Sequence, residues 1–298
     1  MIVVRNAETD GDLEAWIHVH RVVLPNDSAG TIELHRAREK PERRLVLAEL
    51  DGELAGSGYV DQSDLVDRFC LAARVLPAVR RRGVGSALLR ELGAHAAVFG
   101  AGKVSTEVAD EGSRAFAERF GFQESNRELG QVKVLGDEPP SPPLPDGLRI
   151  ATIAERPELL ERAYPLALQG YADMATEALA TISLDDWLRD EATQPEGSFV
   201  ALAGDEIVGY SGLVRHDHDP RVVEDGLTVV RRDWRRRGLA AALKRRELAW
   251  AAANGFREVV TWTQQGNEAM RRLNARLGYE DRTVWIVMVA PLPLQKGV

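Results

Sequence analysis

The chain has 298 residues, of which 44% are hydrophobic and 28% are charged, and its formal net charge is −8. The length suits one large domain or two ordinary ones, and the composition is that of a globular protein. The acidic balance argues against nucleic acid as the main partner, because phosphate binding needs a basic face. The single cysteine, Cys70, excludes an internal disulfide and a thiolate zinc site.

Membrane insertion and secretion are also disfavoured by the sequence. No apolar run approaches the ~20 residues of a membrane-spanning helix. The first residues, Met1 to Asn6, lack the long apolar core of a signal peptide. We therefore expect a cytoplasmic protein that does not enter the membrane.

The first half of the chain alternates between the two hydrophobic periods that indicate strands and helices. Asp51-Gly52 is typical of a tight hairpin turn. The expected strands lie at residues 3–4, 45–50, 54–60, 69–76 and 104–108, with a last one from 122. The expected helices lie at residues 10–23, 83–99 and 111–121, and residues 28–42 are helical or irregular.

A proline-rich segment follows at residues 136–147. It holds five of the fourteen prolines of the chain. Because proline removes backbone donors and disfavours helix, such a segment is a semi-rigid extended linker. We therefore expect an N-terminal domain at residues 1–135, a linker at 136–147 and a C-terminal domain at 148–298.

The second half repeats the order of elements of the first. Its expected strands lie at 148–153, 199–202, 207–214, 223–231 and 259–263, with a last one from 279. Its expected helices lie at 155–169, 184–191, 238–254 and 267–277. Gly83 and Gly238 are 155 residues apart, and Gly121 and Gly278 are 157 apart. A period near 150 indicates a duplicated domain. The expected fold class is α+β (α/β), with a mixed, mostly antiparallel sheet flanked by helices in each half.

The most informative stretch occurs once in each half, between a strand and a helix. The first copy is Arg80-Arg81-Arg82-Gly83-Val84-Gly85-Ser86, and the second is Arg235-Arg236-Arg237-Gly238-Leu239-Ala240. Glycine lets successive backbone N–H groups point into one concavity, and the following helix start adds unpaired N–H groups. Such a basic turn binds a phosphate or diphosphate, and arginine side chains grip phosphate oxygens in a fork.

The spacing Arg-x-x-Gly-x-Gly/Ala resembles the acetyl-CoA signature of the GNAT superfamily of N-acetyltransferases. The repeat resembles the architecture of tandem GNAT proteins such as mycothiol synthase. The resemblance implies an acyltransferase that moves an acetyl group from acetyl-CoA to a primary amine of a small molecule. It also implies a monomer or homodimer. A non-catalytic acyl-CoA-binding regulatory protein is the alternative interpretation.

The resemblance also indicates which residues would hold acetyl-CoA. The strand ends facing the pantetheine arm would be Val75 and Leu76 in the first half, and Val229, Val230 and Arg231 in the second. The diphosphate would lie on Arg80, Arg81, Arg82, Gly83, Val84, Gly85 and Ser86, or on Arg235, Arg236, Arg237, Gly238, Leu239 and Ala240. Asn267 and Asn274, near the late helix of the second half, would complete the cofactor site.

The general base implied by the resemblance is Glu224, eleven residues before Arg235. The same count from Arg80 reaches Phe69, so only the second half has a carboxylate there and is expected to be the catalyst. Side chains alternate along a strand, so we expect Glu224 to share a face with Gly226, Thr228 and Val230. The next acids to consider are Asp225, Asp64 and Asp67.

The family's usual acid tyrosine is missing from both halves, because its positions hold Asn274 and Ala117. Tyr210 is a remote candidate for the proton donor, and the thiolate could also leave unprotonated. His216 and His218 alternate at a strand end, but a solvated hairpin tip is favoured there over a metal site. We therefore expect no metal.

Overall fold

The structure, a computed structural model, describes residues 1–25, 29–63, 65–66, 68–138, 144, 146–174, 182–216 and 219–295. The strands are β1 (Ile2–Asn6), β2 (Arg44–Leu50), β3 (Glu53–Gln62), β4 (Arg68–Val75), β5 (Lys103–Val108), β6 (Gln123–Val134), β7 (Leu148–Thr152), β8 (Phe199–Ala203), β9 (Glu206–Arg215), β10 (Val222–Val230), β11 (Glu258–Gln264) and β12 (Glu280–Pro291). The helices are α1 (Asp10–Val23), α2 (Ile32–Ala37), α3 (Val84–Val98), α4 (Glu111–Glu118), α5 (Glu158–Ala172), α6 (Leu184–Asp190), α7 (Leu239–Ala253) and α8 (Glu268–Leu277).

Some expectations fall on residues that the structure does not describe. Asp64, Asp67 and His218 are among them, and so are the five prolines of residues 136–147. Among the described residues, no helix has the length and apolarity needed to cross a lipid bilayer.

The chain divides into two compact units, and each contains residues from both halves of the sequence. The first unit comprises Met1–Asn126 and Trp285–Val298, and the second comprises Arg127–Val284. The exchange takes place at the two last strands. Residues 286–291 of β12 pair with β5 in the first unit, and residues 128–134 of β6 pair with β11 in the second. Backbone pairing therefore moves the limits of the units away from the proline-rich segment.

In the first unit the strands follow the order β1, β2, β3, β4, β5 and β12. Every neighbouring pair is antiparallel except β4 and β5. The hairpin turn at Asp51 and Gly52 has positive φ at both residues, as predicted for a two-residue turn. Helix α3 packs on one face through the buried side chains of Leu88 and Leu92, and α1 packs Trp16 against the other face beside Tyr59.

In the second unit the order is β6, β11, β10, β9, β8 and β7, and only β10 and β11 run parallel. The buried apolar side chains of α7, Leu243 and Leu248 among them, cover one face of this sheet. Helices α5 and α6 cover the other face, where Trp187 is fully buried. The mixed, mostly antiparallel α+β fold predicted from the sequence is confirmed in both units.

The single parallel pair of each unit is short. In the first unit β4 and β5 pair only between Arg68–Cys70 and residues 103–105, although both strands continue beyond. In the second unit β10 and β11 pair only between residues 222–225 and 258–261. A gap therefore opens between the carboxyl ends of the two parallel strands, which is where ligands bind in sheets of this kind.

The exchanged strands lead to a first prediction, about a nicked chain. Proteases prefer exposed extended linkers, so limited proteolysis is expected to cut first between Gly136 and Gly147. Each fragment would keep a strand that belongs to the unit of the other half. The two fragments should therefore stay together in native size-exclusion chromatography and separate only in denaturant. Fragments that separate under native conditions, or a first cut outside residues 136–147, would contradict this prediction.

Candidate active site

Both basic turns have the predicted strand–turn–helix form and nearly the same backbone. In the first, β4 ends at Val75 and α3 begins at Val84, with Arg81 at φ 64° and Gly83 at φ 91° between them. In the second, the turn joins β10 to α7, and its residues Arg236 and Gly238 have φ of 63° and 80°. A non-glycine residue at positive φ is strained, so its recurrence in both turns indicates a required backbone shape.

This backbone shape fits an anion. The first N–H groups of an α-helix have no partner inside the helix, and the positive end of its dipole lies there. At Gly83 and Gly238 the left-handed conformation strains any side chain, and a Cβ at Gly85 would lie 3.1 Å from the ring of Phe116. The turn thus keeps a close backbone approach open, and a diphosphate such as that of CoA fits its donors.

The first arginine of each motif holds the end of its own strand. The Nε atom of Arg80 donates to the carbonyl oxygen of Val75 at 3.2 Å. The Nε atom of Arg235 makes the equivalent bond to Val230 at 2.9 Å. Part of each guanidinium group is therefore used within the turn, and this structural role was not predicted from the sequence.

The second turn also contains an internal anion. Asp173, just after α5, forms ion pairs with Arg232 and Arg235, and these lower the pKa of its carboxyl group to about 2. Arg231 is paired with Asp233 and Glu206, both at 2.8 Å.

The neighbouring arginines of the two turns differ in their contacts. Arg237 lies over the ring of Trp234, and in the first turn Arg82 pairs with Asp51. Arg81 and Arg236 are exposed and make no ion pair within the described part of the chain. Within the two basic turns they are therefore the arginines open to a ligand.

A cavity of about 670 Å³ lies at the first basic turn, and a smaller one of about 240 Å³ lies in the gap between β4 and β5. Arg74 lines both cavities and is 8% exposed. Its guanidinium group lies 5.3 Å from the ring centre of Trp16 and 5.4 Å from that of Tyr59. The residue 155 positions later is Val229, which packs in the apolar core of the second unit. The two units therefore differ at the strand end that would face the acyl group.

Glu224 is half-buried on β10, beside a break in the regular pairing of that strand with β9. Asp225 pairs with Leu213, but the next pair is Thr228 with Ser211, so β10 holds one extra residue. The extra residue makes a β-bulge, a feature often found next to active sites because it redirects side chains.

The bulge corrects the predicted face of β10. Thr228 donates to the Asp225 carboxylate at 3.3 Å, and Val230 packs with Leu239 and Leu243 of the second unit. Thr228 and Val230 therefore lie on the α7 side, whereas Glu224 lies on the opposite side, which α5 and α6 cover. The prediction that Glu224 shares a face with Thr228 and Val230 is wrong, because strict alternation fails across a bulge.

Asp225, the neighbour of Glu224, is fully engaged inside the second unit. It is 2% exposed and forms an ion pair with Lys244 of α7, itself 1% exposed. The Tyr279 hydroxyl donates to the same carboxylate at 3.0 Å. Because this carboxylate is buried and its charge is balanced by Lys244, it is not accessible to an acceptor amine. The structure therefore does not support Asp225 as an alternative base.

The three remaining polar candidates of the second unit have structural roles. Asn267 caps α8, its side-chain oxygen accepting from the N–H of Met270 at 3.2 Å. Asn274 is 0% exposed and donates to Gln131 at 2.9 Å, so its side chain offers no surface to a cofactor. Tyr210 is also fully buried, and its hydroxyl donates to Glu191 at 3.0 Å. Burial, then the Glu191 carboxylate, raises the pKa of Tyr210, which opposes a role as proton donor.

The first unit has no equivalent of this arrangement. Strand β4 pairs with β3 without a register shift from Gln62↔Phe69 to Gly56↔Val75. Phe69, the counterpart of Glu224 by count, is 6% exposed in the apolar core. Because β10 holds one extra residue, the residue at the position of Glu224 is Cys70, which pairs with Asp61 as Glu224 pairs with Val214. The first unit therefore has a cysteine, not a carboxylate, at the position of Glu224.

The sequence analysis missed Glu191, Lys244 and Glu247. Glu247 is 1% exposed on α7 and accepts from the Ser211 hydroxyl at 2.7 Å. Burial, and then the charge of Asp225, raises the pKa of the Glu247 carboxyl group. The only signal in the sequence was two charged residues on the otherwise apolar inner stripe of α7.

Comparisons with known proteins agree with this geometry. A sequence profile of the acetyltransferase (GNAT) family matches residues 12–122 and 159–279. The chain is 26% identical over 287 residues to a mycothiol acetyltransferase of Catenulispora acidiphila, covering 93% of this chain and 82% of that protein. It is 28% identical over 294 residues to a mycothiol acetyltransferase of Thermobispora bispora, covering 93% and 95%.

A solved structure of similar fold is a tandem GNAT protein from the clavulanic acid biosynthesis pathway. Its TM-score is 0.77 at 19% identity, over 99% of both chains. This likeness shows the fold. The two profile matches, which span most of the chain, and the mycothiol acetyltransferase relatives support an N-acetyltransferase that takes its acetyl group from acetyl-CoA. The chain belongs to the GNAT acetyltransferase family and carries its domain in tandem.

Proposed function

We propose that the chain transfers the acetyl group of acetyl-CoA to a primary amine of a small molecule, and that the second unit performs the reaction with Glu224 as general base. The observation that carries this proposal is the bulge on β10. It directs a half-buried carboxylate to one side of the strand that leads into the second basic turn. The first unit lacks both the carboxylate and the bulge.

Each residue then has a defined task. Acetyl-CoA supplies an acetyl group activated as a thioester; when the amine nitrogen bonds to the acetyl carbon, the carbon–sulfur bond breaks and CoA leaves as a thiolate. The backbone of the second basic turn and Arg236 would hold its diphosphate, and the end of β10 at Val229 and Val230 would align the pantetheine arm. Primary amines titrate near ~10 and enter mostly protonated, so Glu224 would take the proton that makes the nitrogen nucleophilic.

The first unit is proposed to bind CoA without catalysis. Its turn has the same backbone as the second, and its cavity of about 670 Å³ has a volume typical of small-molecule sites. No carboxylate stands where Glu224 stands in the second unit, because the pairing of β4 with β3 and β5 places Cys70 at that position.

Two binding turns lead to a prediction for CoA titration. The wild-type chain is expected to bind two CoA molecules. Replacing Arg235 and Arg236 with alanine should weaken one site by ~2 kcal/mol or more, because charge-assisted contacts to phosphate are lost. The matched variant Arg80→Ala/Arg81→Ala should weaken the other site. Isothermal titration calorimetry measures both the number of sites and their affinity.

The internal anion gives this experiment a control. Asp173 competes with phosphate for Arg235, so Asp173→Asn should tighten the site of the second unit and leave the first unchanged. A wild-type-like titration of the Arg235→Ala/Arg236→Ala variant would remove the proposed role of the second turn.

The acceptor is proposed to be a small amine rather than a protein or nucleic acid. The two curated relatives described above are named for mycothiol, so the amine that acetylation converts into mycothiol is the first compound to test. A panel of primary amines incubated with acetyl-CoA should show one product heavier by an acetyl group in mass spectrometry. Thiol release without any acetylated product would contradict the proposal.

A further inference from the structure

The bulge on β10 interrupts the regular backbone hydrogen bonding between β10 and β9. Gly226 and Leu227 together stand opposite Gly212 of β9, so one backbone N–H of the bulge falls outside the regular ladder. A buried N–H without a partner is costly, and native structures supply one from a side chain or water. The carboxyl group of Glu191, the residue that follows α6, lies beside the bulge.

The Glu191 carboxyl group joins three elements. The Tyr210 hydroxyl of β9 donates to its Oε1 atom at 3.0 Å. The same carboxyl group also lies close to the backbone N–H groups of Leu227, in the bulge of β10, and of Ala192. The side chain thus connects the end of α6 to both strands at the point where their register shifts.

Two glycines make room for this carboxyl group. A Cβ on Gly226 would lie 3.1 Å from Glu191 Oε1, and one on Gly212 would collide with that oxygen and with the Tyr210 hydroxyl. Ala192, 5% exposed, is held at a φ of 51°, a conformation that costs free energy in a non-glycine residue. The surroundings of Glu191 are therefore shaped around its carboxyl group, although none of these residues belongs to a basic turn.

We propose that Glu191 is a positioning residue that holds the β10 bulge and thereby sets the direction of Glu224. The inference rests on the proposed role of Glu224 as base. Glu224 lies two residues before Gly226 on β10. A slip of one residue in a strand moves its side chains to the opposite face, so loss of the bulge would turn Glu224 toward α7.

The protonation state of Glu191 fits this role. Burial raises the pKa of its carboxyl group to about 8, and the nearby charge of Glu224 adds to the rise, while the Tyr210 hydrogen bond opposes it. Glu247 also interacts electrostatically with Glu191, and Tyr171 with Tyr210. At neutral pH Glu191 is therefore mainly a neutral acid that accepts hydrogen bonds, and Glu224 does not compete with a second negative charge.

The test compares Glu191→Ala with Glu191→Gln. Alanine removes the tie, so we expect kcat/KM for the acetylated amine to fall by about tenfold or more, since misplaced catalytic groups lose rate steeply. Hydrogen exchange of the backbone amides of residues 226–228 should become faster in the same variant. Glutamine keeps an acceptor oxygen and resembles the neutral acid, so both readouts should stay within about threefold of the wild type.

The pH dependence of stability provides a third measurement, which requires neither an activity assay nor the alanine variant. The pKa of Glu191 in the folded chain, about 8, exceeds its usual value of 4.5. Between pH 4.5 and 8 the carboxyl group ionises in the unfolded chain but stays protonated in the folded one, so it lowers the stability of the fold increasingly as pH rises. The unfolding midpoint of Glu191→Gln should gain on the wild type across this window and stay level with it below pH 4.

The outcomes separate this inference from the proposed function. If Glu224→Gln is fully active, the assigned base fails, while amide exchange in Glu191→Ala still tests the tie to the bulge. If Glu224→Gln is inactive but Glu191→Ala keeps wild-type activity and amide exchange, the positioning role is overturned and the base stands. A Glu191→Gln variant as impaired as Glu191→Ala would also overturn it.

Discussion

Glu224→Gln should lower kcat/KM by about 10²-fold or more near neutral pH, with CoA affinity retained. Glutamine keeps the shape of the side chain but cannot accept the proton of the amine. Glu224 lies apart from the basic turn at residues 235–240, so the contacts that hold the diphosphate should not change. Steady-state kinetics with acetyl-CoA and the acceptor amine, together with calorimetry of CoA binding, measure the two effects separately.

The pH dependence of this loss distinguishes a base from a merely structural glutamate. Amines lose their proton near ~10, so at high pH more acceptor is already neutral and the deficit of Glu224→Gln should shrink. Glu280→Gln is a matched control, because Glu280 is exposed in the same unit on β12. A deficit that stays constant up to pH 10, or a fully active variant at neutral pH, would overturn the assignment.

Local features of the site were predictable from the sequence because local chemistry determines them. A glycine after three arginines, between an apolar run and an amphipathic helix, leads to a left-handed residue at the helix start, as Gly83 and Gly238 show. The hairpin turn at Asp51-Gly52 was predictable in the same way, because Asp and Gly favour the positive φ that a two-residue turn requires. The α+β class followed from the alternation of hydrophobic periods over each half.

Features that depend on distant partners were not predictable. The exchange of the last strands depends on which neighbouring strand residues 128–134 pair with. The sequence of these residues indicates a strand but does not indicate its neighbour. The bulge at Gly226 adds one residue without any distinct sequence signal, and it reversed the expected face of Thr228. Likewise asparagine is usually a surface residue, but Asn274 is buried and donates hydrogen bonds to Gln131 and Thr263. These partners lie 143 and 11 residues away in the sequence.

The buried ion pair behind β10 should make the second unit sensitive to the loss of either partner alone. Lys244 and Asp225 form an ion pair in which both side chains are buried. Burial, followed by the charge of Asp225, raises the pKa of the Tyr279 hydroxyl beside this pair. Burial raises the pKa of Glu247 and so opposes a negative charge there, and Lys244 and Asp225 balance each other's charge. Removing one partner leaves an uncompensated charge in the core, so Lys244→Met should lower the free energy of unfolding by ~3–5 kcal/mol.

The double variant Lys244→Met/Asp225→Asn tests the reason for this loss. It removes both charges, while the amide introduced by Asp225→Asn can still bond to Tyr279 and Thr228, so most of the stability lost in Lys244→Met should return. Urea unfolding of the single and double variants gives the coupling free energy directly. The double variant should also keep most of the acetyl transfer, since Asp225 faces α7 and Glu224 faces the other side of the sheet. A double variant as unstable as Lys244→Met would show that the lysine acts through packing of its aliphatic chain rather than by neutralising Asp225.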